Sequence, residues 1–96
     1  MKPLEFHPQS EAEFARDVDF YRERATGLAS EFVTAVEEAV AFIRAHPEAG
    51  VVLTDSIRRW RVRRFPHSVV YREDPSRILV LAISHHRRRP DHWHGR

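Results

Sequence analysis

The stretch Arg77-Ile78-Leu79-Val80-Leu81-Ala82-Ile83-Ser84 is the most apolar run of the 96-residue chain. A continuous apolar run of this length, preceded by the turn-forming residues Glu73-Asp74-Pro75-Ser76, predicts a central β-strand that is buried on both faces. Such a strand needs paired strands beside it and a layer of helices over at least one face. The segments before it in the sequence are suited to both roles.

Two segments upstream predict the neighbouring strands. The run Ser68-Val69-Val70-Tyr71-Arg72 is one, and the run from Ile57 to Phe65 is the other, with Phe65-Pro66-His67 as the turn between them. The second run alternates inward-facing apolar residues with outward-facing arginines, which predicts one buried and one wet face. The apolar positions are Trp60 and Val62, and the basic positions are Arg59, Arg61 and Arg63. A short strand, Leu4-Glu5-Phe6-His7, is predicted at the N-terminus and stops at Pro8.

Two amphipathic helices are predicted between the first strand and the others. Ser10 followed by Glu13 has the pattern of a capping box and predicts the start of the first helix. Thr26-Gly27 ends it, because glycine tolerates the left-handed conformation of a helix C-terminus. The second helix runs to His46-Pro47, since the residue before a proline disfavours helical dihedrals. The apolar stripe of the first helix is Phe14, Val18, Tyr21 and Ala25, and that of the second is Leu28, Phe32, Val33, Val36, Ala39, Val40 and Ile43.

The order β-α-α-β-β-β predicts an α+β fold made of one domain over residues 1–96. Two helices joined by two or three residues must lie antiparallel as a hairpin. We therefore expect an antiparallel α-hairpin packed on one face of a small, mainly antiparallel sheet.

Charge divides the chain into two unlike halves. Residues 1–50 carry 5 Lys and Arg against 10 Asp and Glu, whereas residues 51–96 carry 11 Arg against 4 Asp and Glu. The total of +2 thus conceals halves of −5 and +7. In the predicted fold the acidic residues belong mostly to the helices and the arginines to the open face and end of the sheet. Such asymmetry predicts a charged partner.

Composition excludes several classes of protein. The sequence contains no cysteine, which rules out disulfides and thiolate metal sites and fits a reducing cytoplasm. No apolar run approaches the roughly 20 residues of a membrane span, and the N-terminus lacks an apolar signal core. We therefore predict a cytoplasmic protein with no membrane partner and no cofactor.

The histidines near the end of the chain do not predict a metal site. His85, His86, His92 and His94 fall within ten positions. Zinc requires ligands that converge in a tetrahedron, whereas His85 and His86, if both extended, point to opposite faces of the sheet. No metal is predicted.

The chain resembles the RelE/ParE superfamily of type II toxin–antitoxin toxins, also described as plasmid stabilisation proteins. Within this superfamily, the chain is most similar to the ParE-like members. The most specific matching element is the C-terminal pattern His85-x-Arg87-Arg88-x-Pro90-x-x-Trp93. Other matching positions follow in order and spacing over nearly the whole chain. They are Ala12, Ala15, Asp19-Phe20-Tyr21, Gly27-Leu28, Phe32, Val36-Glu37, Ala39, Ile43, Pro47, Gly50, Val62-Arg63-Arg64-Phe65-Pro66, Val69-Val70-Tyr71-Arg72 and Leu81-Ala82-Ile83.

The resemblance implies the fold predicted above and a cognate antitoxin whose acidic C-terminal tail wraps the toxin. It also implies one of two targets. ParE-like members poison DNA gyrase, and RelE-like members cut messenger RNA in the ribosomal A site. The predicted function is growth arrest by poisoning gyrase, silenced by the antitoxin. The alternatives are a ribosome-dependent endoribonuclease and an inactive member that binds only its antitoxin.

The predicted target- and antitoxin-binding residues combine cations with an aromatic group, since Arg and Trp dominate protein interfaces. They are Arg59, Arg61, Arg63, His85, Arg87, Arg88 and Trp93. An extended acidic peptide across the arginine face would form Arg–carboxylate pairs, with apolar anchors supplying most of the affinity. The alternating arginines are also compatible with a merely solvated face, and Trp93 with a staple between the C-terminus and the sheet. We expect the joint replacement of Arg87 and Arg88 by alanine to abolish toxicity without unfolding the protein.

If the protein is a nuclease, its chemistry requires an acid, a base and cations for the phosphorane charge. His85 and His92 are the candidate proton carriers, because histidine titrates near neutrality, and Arg61 and Arg87 are the candidate cations. RelE-like nucleases usually end with a tyrosine or a His-Tyr pair, and ParE-like sequences commonly have Tyr-Trp where this chain has His92-Trp93. If the target is gyrase, no catalytic residue is predicted. The sequence leaves open whether the protein is an enzyme.

Overall fold

The computed structural model describes residues 1–89 and 91–96, so Pro90 of the C-terminal pattern lies outside the described residues. Seven elements follow one another along the chain. They are β1 (Leu4–Phe6), α1 (Pro8–Arg22), α2 (Leu28–Ala45), β2 (Val51–Thr54), β3 (Ile57–Arg61), β4 (His67–Glu73) and β5 (Ile78–His85). The five strands form one sheet in the order β1-β5-β4-β3-β2, in which β1 pairs parallel with β5 and every other pair is antiparallel. The predicted α+β fold is confirmed.

The most apolar run is an interior strand, as predicted. β5 lies between β1 and β4, and the side chains from Ile78 to Ile83 are buried. Both faces of the β4–β5 strand pair are buried, and a different part of the chain covers each face. The α-hairpin covers one face, and the segment after β5 covers the other.

The helix-facing core joins both helices to the sheet. Phe32 and Ile43 of α2 are fully buried against Val69 and Tyr71 of β4, and α1 contributes Phe14 at the margin of the cluster. The ring of Phe14 lies 5.8 Å from that of Phe32.

Five residues, 23–27, join the two helices. The prediction that Thr26-Gly27 ends the first helix is wrong, because α1 ends at Arg22 with Glu23 as its C-cap. Gly27 has the expected left-handed φ of 82°, but it is the N-cap of α2.

The first helix begins two residues earlier than the predicted capping box. α1 starts at Pro8, and His7 is its N-cap, with Nδ1 accepting the N–H of Gln9. The capping-box prediction is wrong, because Ser10 and Glu13 are buried and bond to β5. Proline suits the first helical position, where its missing N–H has no helical acceptor to lose.

β2 is an additional strand, which the sequence pattern did not predict. Val51-Val52-Leu53-Thr54 is short and does not alternate apolar with polar residues, so periodicity gives no strand signal. Pairing with β3 is what makes it extended, with a register shift between Val52 and Thr54. The observed order is therefore β-α-α-β-β-β-β.

The link between β3 and β4 also differs from the prediction. β3 ends at Arg61, and Arg64 in the following turn has a φ of 71°. His67 was predicted in the turn but begins β4, where it is buried and lies opposite His85. Pairing with β5 decides its conformation, which a local turn signal does not encode. Among the described residues, neither helix is long and apolar enough to cross a membrane.

Candidate functional site

The face of the sheet that points away from the helices carries two rows of paired residues. Arg61 of β3 lies opposite Ser68 of β4, which lies opposite Ser84 of β5. Arg59 lies opposite Val70, two residues along the same strands. Because alternate residues of a strand share a face, the predicted wet and basic face of β3 becomes one wall of this surface.

These rows line a groove with a volume of about 480 Å³, which we call the open-face groove. Its polar wall carries guanidinium, hydroxyl and imidazole groups, and apolar side chains line the rest. The lining residues are Leu53, Arg59, Arg61, Ser68, Val70, Ser84, His85, His86, Arg88 and Trp93. The chemistry of this set suits an extended ligand that is anionic in part and apolar in part.

Trp93 forms the apolar end of the groove. It is 5 % exposed and packs in a second buried cluster with Val70, Leu79, Leu81 and Ala82. Of the two roles left open for this residue, the staple is the observed one, since its indole covers sheet residues that would otherwise face water. The C-terminal segment is thereby held against the open face.

Arg59 and Arg61 are exposed, and no carboxylate of the described residues lies within ion-pairing distance of either. Two like charges two positions apart on one strand repel each other weakly in water. An anionic ligand would relieve this repulsion and accept paired N–H groups from each guanidinium. These two side chains are the strongest anion-binding feature of the groove.

His86 connects the polar row to Arg61. Its Nε2 lies 3.1 Å from Ser68 Oγ, and its Nδ1 lies 3.5 Å from Arg61 Nη1. Burial, followed by the charge of Arg61, lowers the pKa of His86 below the ordinary histidine value. A neutral imidazole with its proton on Nε2 fits both contacts, because the guanidinium can only donate.

Arg88 lines the groove, but its guanidinium group is directed towards α1. Its Nη1 lies 3.1 Å from Glu13 Oε2, and its Nη2 lies 3.6 Å from Asp17 Oδ1, both on α1. Asp17 in turn contacts His67 Nε2 at 3.2 Å. Arg88 therefore ties the segment after β5 to the first helix.

Glu13 is the centre of this anchor. Its Oε1 accepts the N–H of Ile83 at 3.2 Å, and both of its oxygens accept from Arg96 at 2.9 to 3.0 Å. His92 Nε2 lies 3.0 Å from Oε2. Burial alone would raise the pKa of Glu13, but the hydrogen bonds and charge of Arg96, with His92 and the Ile83 N–H, lower it overall.

These contacts occupy an edge of β5 that no strand of the described residues covers. β1 pairs with β5 only as far as Val80, so the strand continues beyond its partner. The Glu13 carboxylate takes the N–H of Ile83, and Arg96 Nη1 donates to the carbonyl of Leu81 at 2.9 Å. Side chains thus satisfy main-chain groups that a longer β1 would have paired.

The predicted binding residues divide into two groups in the structure. Five line the open-face groove, namely Arg59, Arg61, His85, Arg88 and Trp93. Arg63 follows β3 and lines a different depression, between α2 and β3. Arg87 is exposed in the turn after β5, where its N–H donates to His85 Nδ1 at 3.0 Å.

The four residues considered for a nuclease are also divided. His92 is bonded to Glu13, whereas Arg61 lies beside His86. The ring of His85 lies 4.9 Å from that of His67, and burial lowers its pKa. The described contacts therefore do not join His85, His92, Arg61 and Arg87 in one cluster around a reacting phosphate.

Several residues of the site were not identified from the sequence. Ser68, Ser84 and His86 gave no signal, because only the register of three strands brings them together. Glu13 was predicted to be part of a helix cap. Its position on the apolar face of an amphipathic helix is the feature from which its burial could have been predicted.

Comparison with known proteins gives one family and one fold. A family model described as "ParE toxin of type II toxin-antitoxin system, parDE" matches residues 4–90. A comparison with curated proteins gives no match. Among solved structures, the chain is similar to one titled "Chromosomal ParDE TA system from P. aeruginosa", with a TM-score of 0.74 and 23 % identity. That similarity covers 88 % of this chain and 96 % of the other, and it shows a shared fold.

Proposed function

This chain belongs to the ParE toxin family of type II toxin–antitoxin systems, and on that premise we propose that it arrests bacterial growth by poisoning DNA gyrase and is silenced by a cognate antitoxin. The match over residues 4–90 includes both helices and all five strands. It therefore spans the strands that build the open-face groove and ends before Trp93.

The observation that carries the proposal is the pair of exposed guanidinium groups in that groove, neither of which has a carboxylate partner among the described residues. Arg59 and Arg61 are exposed beside a buried indole, Trp93, and beside Val70. An acidic antitoxin tail with apolar anchors is complementary to this combination of charge and apolar surface. The acidic tail would neutralise the two arginines while its apolar side chains fill the groove.

Gyrase is the proposed target because a poison of that enzyme needs a complementary surface and no catalytic group of its own. The basic groove and the exposed Arg87 supply such a surface near the C-terminus. The contact of His92 with Glu13 commits one of the two candidate proton carriers to the fold, which favours this target over messenger RNA cleavage, a reaction that needs an acid and a base at one phosphate.

The target is tested by pulse-labelling DNA and protein synthesis in bacteria within minutes of inducing this chain alone. Poisoned gyrase is expected to stop DNA synthesis first and to induce DNA-damage signalling. If protein synthesis stops first, the gyrase assignment is wrong and ribosome-dependent RNA cleavage replaces it. If neither stops while the antitoxin still binds, the chain is an inactive family member.

The role of the groove is tested with Arg59→Glu and Arg61→Glu in one variant. Both side chains are exposed, so the fold should persist, and reversing two charges should weaken antitoxin binding by roughly tenfold to a hundredfold. The matched control replaces Arg16 and Arg24, which are exposed on or just after α1, by glutamate. Equal loss of binding in both variants would show that only net charge matters and would overturn the groove assignment.

A further inference from the structure

A second depression lies between α2 and β3, and we call it the helix-side hollow. It has a volume of about 640 Å³. Two small residues of α2, Ala35 and Ala39, and the rings of Phe42 and Trp60 line its apolar part. Its rim is basic, with four arginines against one glutamate. They are Arg59, Arg61, Arg63, Arg64 and Glu38.

Aromatic rings are stacked at the side of this hollow. The ring of Phe42 on α2 lies 4.4 Å from that of Trp60 on β3, and the two are nearly parallel, at 17°. A third ring, that of His46 at the end of α2, lies 4.7 Å from Phe42. Phe42 belongs to neither buried core cluster and is 38 % exposed. A large exposed ring that the core does not use favours contact with a ligand that carries a flat or apolar group.

The arginines of the rim form a row. Arg59 and Arg61 are two positions apart on β3, which separates their Cα atoms by about 6.8 Å. Arg63 is exposed in the turn that follows and continues the row. Within the described part of the chain, no carboxylate lies within ion-pairing distance of these three guanidinium groups. A row of free cations is complementary to a linear polyanion rather than to a single small anion.

The row and the stacked rings together favour one class of polyanion. The phosphates of a nucleic acid accept paired N–H groups from guanidinium, and its bases stack on aromatic side chains when they are unpaired. A duplex keeps its bases stacked inside and could use only the arginines. An acidic peptide would also meet the arginines, but its carboxylates have no use for the rings. An unpaired strand is the ligand that uses both parts of the hollow.

We propose that the helix-side hollow binds an unpaired nucleic-acid strand, whose phosphates lie along Arg59, Arg61 and Arg63 and whose base packs against Phe42 and Trp60. The inference rests on the proposed function for the source of the strand, which is the DNA that gyrase holds cleaved. The toxin would then contact the DNA as well as the enzyme. Because Arg59 and Arg61 also line the open-face groove, an antitoxin bound there would compete with the strand for both guanidinium groups.

The place of binding is tested by NMR on the full chain with an oligonucleotide of about ten thymidines. The chain has two tryptophans, so it gives two indole N–H signals, which Trp60→Phe assigns. Binding in the hollow should shift the signal of Trp60 more than that of Trp93, which lines the open-face groove. A shift of the Trp93 signal alone would place the strand in the open-face groove and overturn the proposal.

The contribution of each part is tested by the fluorescence anisotropy of a labelled oligonucleotide. Phe42→Leu removes the ring but keeps an apolar side chain, and it should weaken binding about fivefold or more, whereas Phe42→Tyr should bind like the parent chain. Arg63→Gln should lower the slope of log affinity against log salt by about 0.7, the value of one phosphate contact on a single strand. Arg16→Gln removes an exposed charge from α1 and is the matched control, which should leave the slope unchanged.

Three further results would overturn the proposal. They are equal affinity of the leucine and tyrosine variants, equal salt slopes of Arg63→Gln and Arg16→Gln, and equal affinity of the parent chain for a peptide of about ten glutamates, which has the charge but no bases.

The source of the strand is decided by comparison with an oligonucleotide of uridines. If DNA is the natural ligand, the thymidine strand should bind at least as tightly as the uridine strand. Tighter binding of the uridine strand, by about tenfold or more, would identify RNA as the ligand and refute the gyrase target, while the assignment of the hollow would stand. A chain that binds the thymidine strand as expected but does not arrest growth would likewise refute only the proposed function.

Discussion

At the scale of single residues, Glu13 shows how one side chain organises the end of the molecule. It is 4 % exposed and accepts from the main chain of β5 and from the side chains of His92 and Arg96. A carboxylate buried with several donors is stabilised in its ionised form, so removing it leaves buried cations without a partner.

Replacing Glu13 by glutamine should lower the free energy of unfolding by about 3 kcal/mol at pH 7. The pKa of Glu13 is lower in the folded chain than its reference value of 4.5, so its contribution is present above that value and is lost as the pH falls through the folded pKa. The difference in the free energy of unfolding between the parent chain and the variant should therefore become smaller below pH 4.5. Urea denaturation over that pH range measures it, with the exposed Glu37→Gln as the control. A gap that stays constant with pH would contradict this account.

Arg87 and Arg88 should behave differently, although both belong to the C-terminal pattern. Arg88→Ala removes ion pairs with Glu13 and Asp17 and should cost about 1–2 kcal/mol, since the side chain is partly exposed. Arg87→Ala removes an exposed side chain and should leave the melting temperature unchanged. Thermal unfolding of the single variants measures both effects. Equal destabilisation would show that the Arg88 contacts do not stabilise the fold.

At the scale of elements, a buried hydroxyl of β4 ties down the connection from α2 to β2, to which Arg58 of β3 also donates. Tyr71 of β4 is fully buried, and its Oη accepts the N–H of Gly50 at 3.0 Å and donates to the carbonyl of Pro47 at 2.8 Å. Burial raises the pKa of Tyr71, so the phenol keeps the proton that it donates. Gly50 must be small here, because a Cβ would lie 2.4 Å from Oη.

Tyr71→Phe should lower the free energy of unfolding by about 1–3 kcal/mol, because it leaves a buried N–H without an acceptor. The loss should be local, with faster hydrogen exchange at Gly50 and along β2 than at the middle of β5. Val69→Ala, a truncation in the same strand, is the comparison that loses packing without losing a hydrogen bond. Uniformly faster exchange in both variants would contradict a specific role for the hydroxyl.

At the scale of the whole molecule, the charge polarity of the sequence becomes a division between two layers. Residues 1–50, which include both helices, carry 10 of the 14 acidic residues, and residues 51–96, which include strands β2 to β5, carry 11 of the 16 Lys and Arg residues. Much of this charge is used internally, as in the contacts of Arg88 and Arg96 with Glu13. Arg59 and Arg61 of the groove are among the charges that remain for a partner.

Association with an acidic antitoxin should therefore be steered by charge. Raising the salt concentration from about 50 to 500 mM should lower the association rate by at least about tenfold and change the dissociation rate much less. The variant with Arg59→Glu and Arg61→Glu should lose most of that salt dependence. Surface plasmon resonance measures both rates. A salt effect on the dissociation rate alone would show that the charged contacts act within the complex and do not accelerate association.

The sequence by itself determined the α+β layering, the helical hairpin with a left-handed Gly27 between its helices, the interior position of β5 and the basic face of β3. Each of these follows from a local period or a backbone preference that neighbouring residues express together. The tertiary structure alone decided the rest. Strand β2, the buried role of Glu13, the inward pairing of Arg88 and the row from Arg61 to Ser84 all depend on contacts between residues far apart in the chain. Local patterns carry no information about which distant partner a side chain will meet, so these features emerge only when the sheet register is fixed.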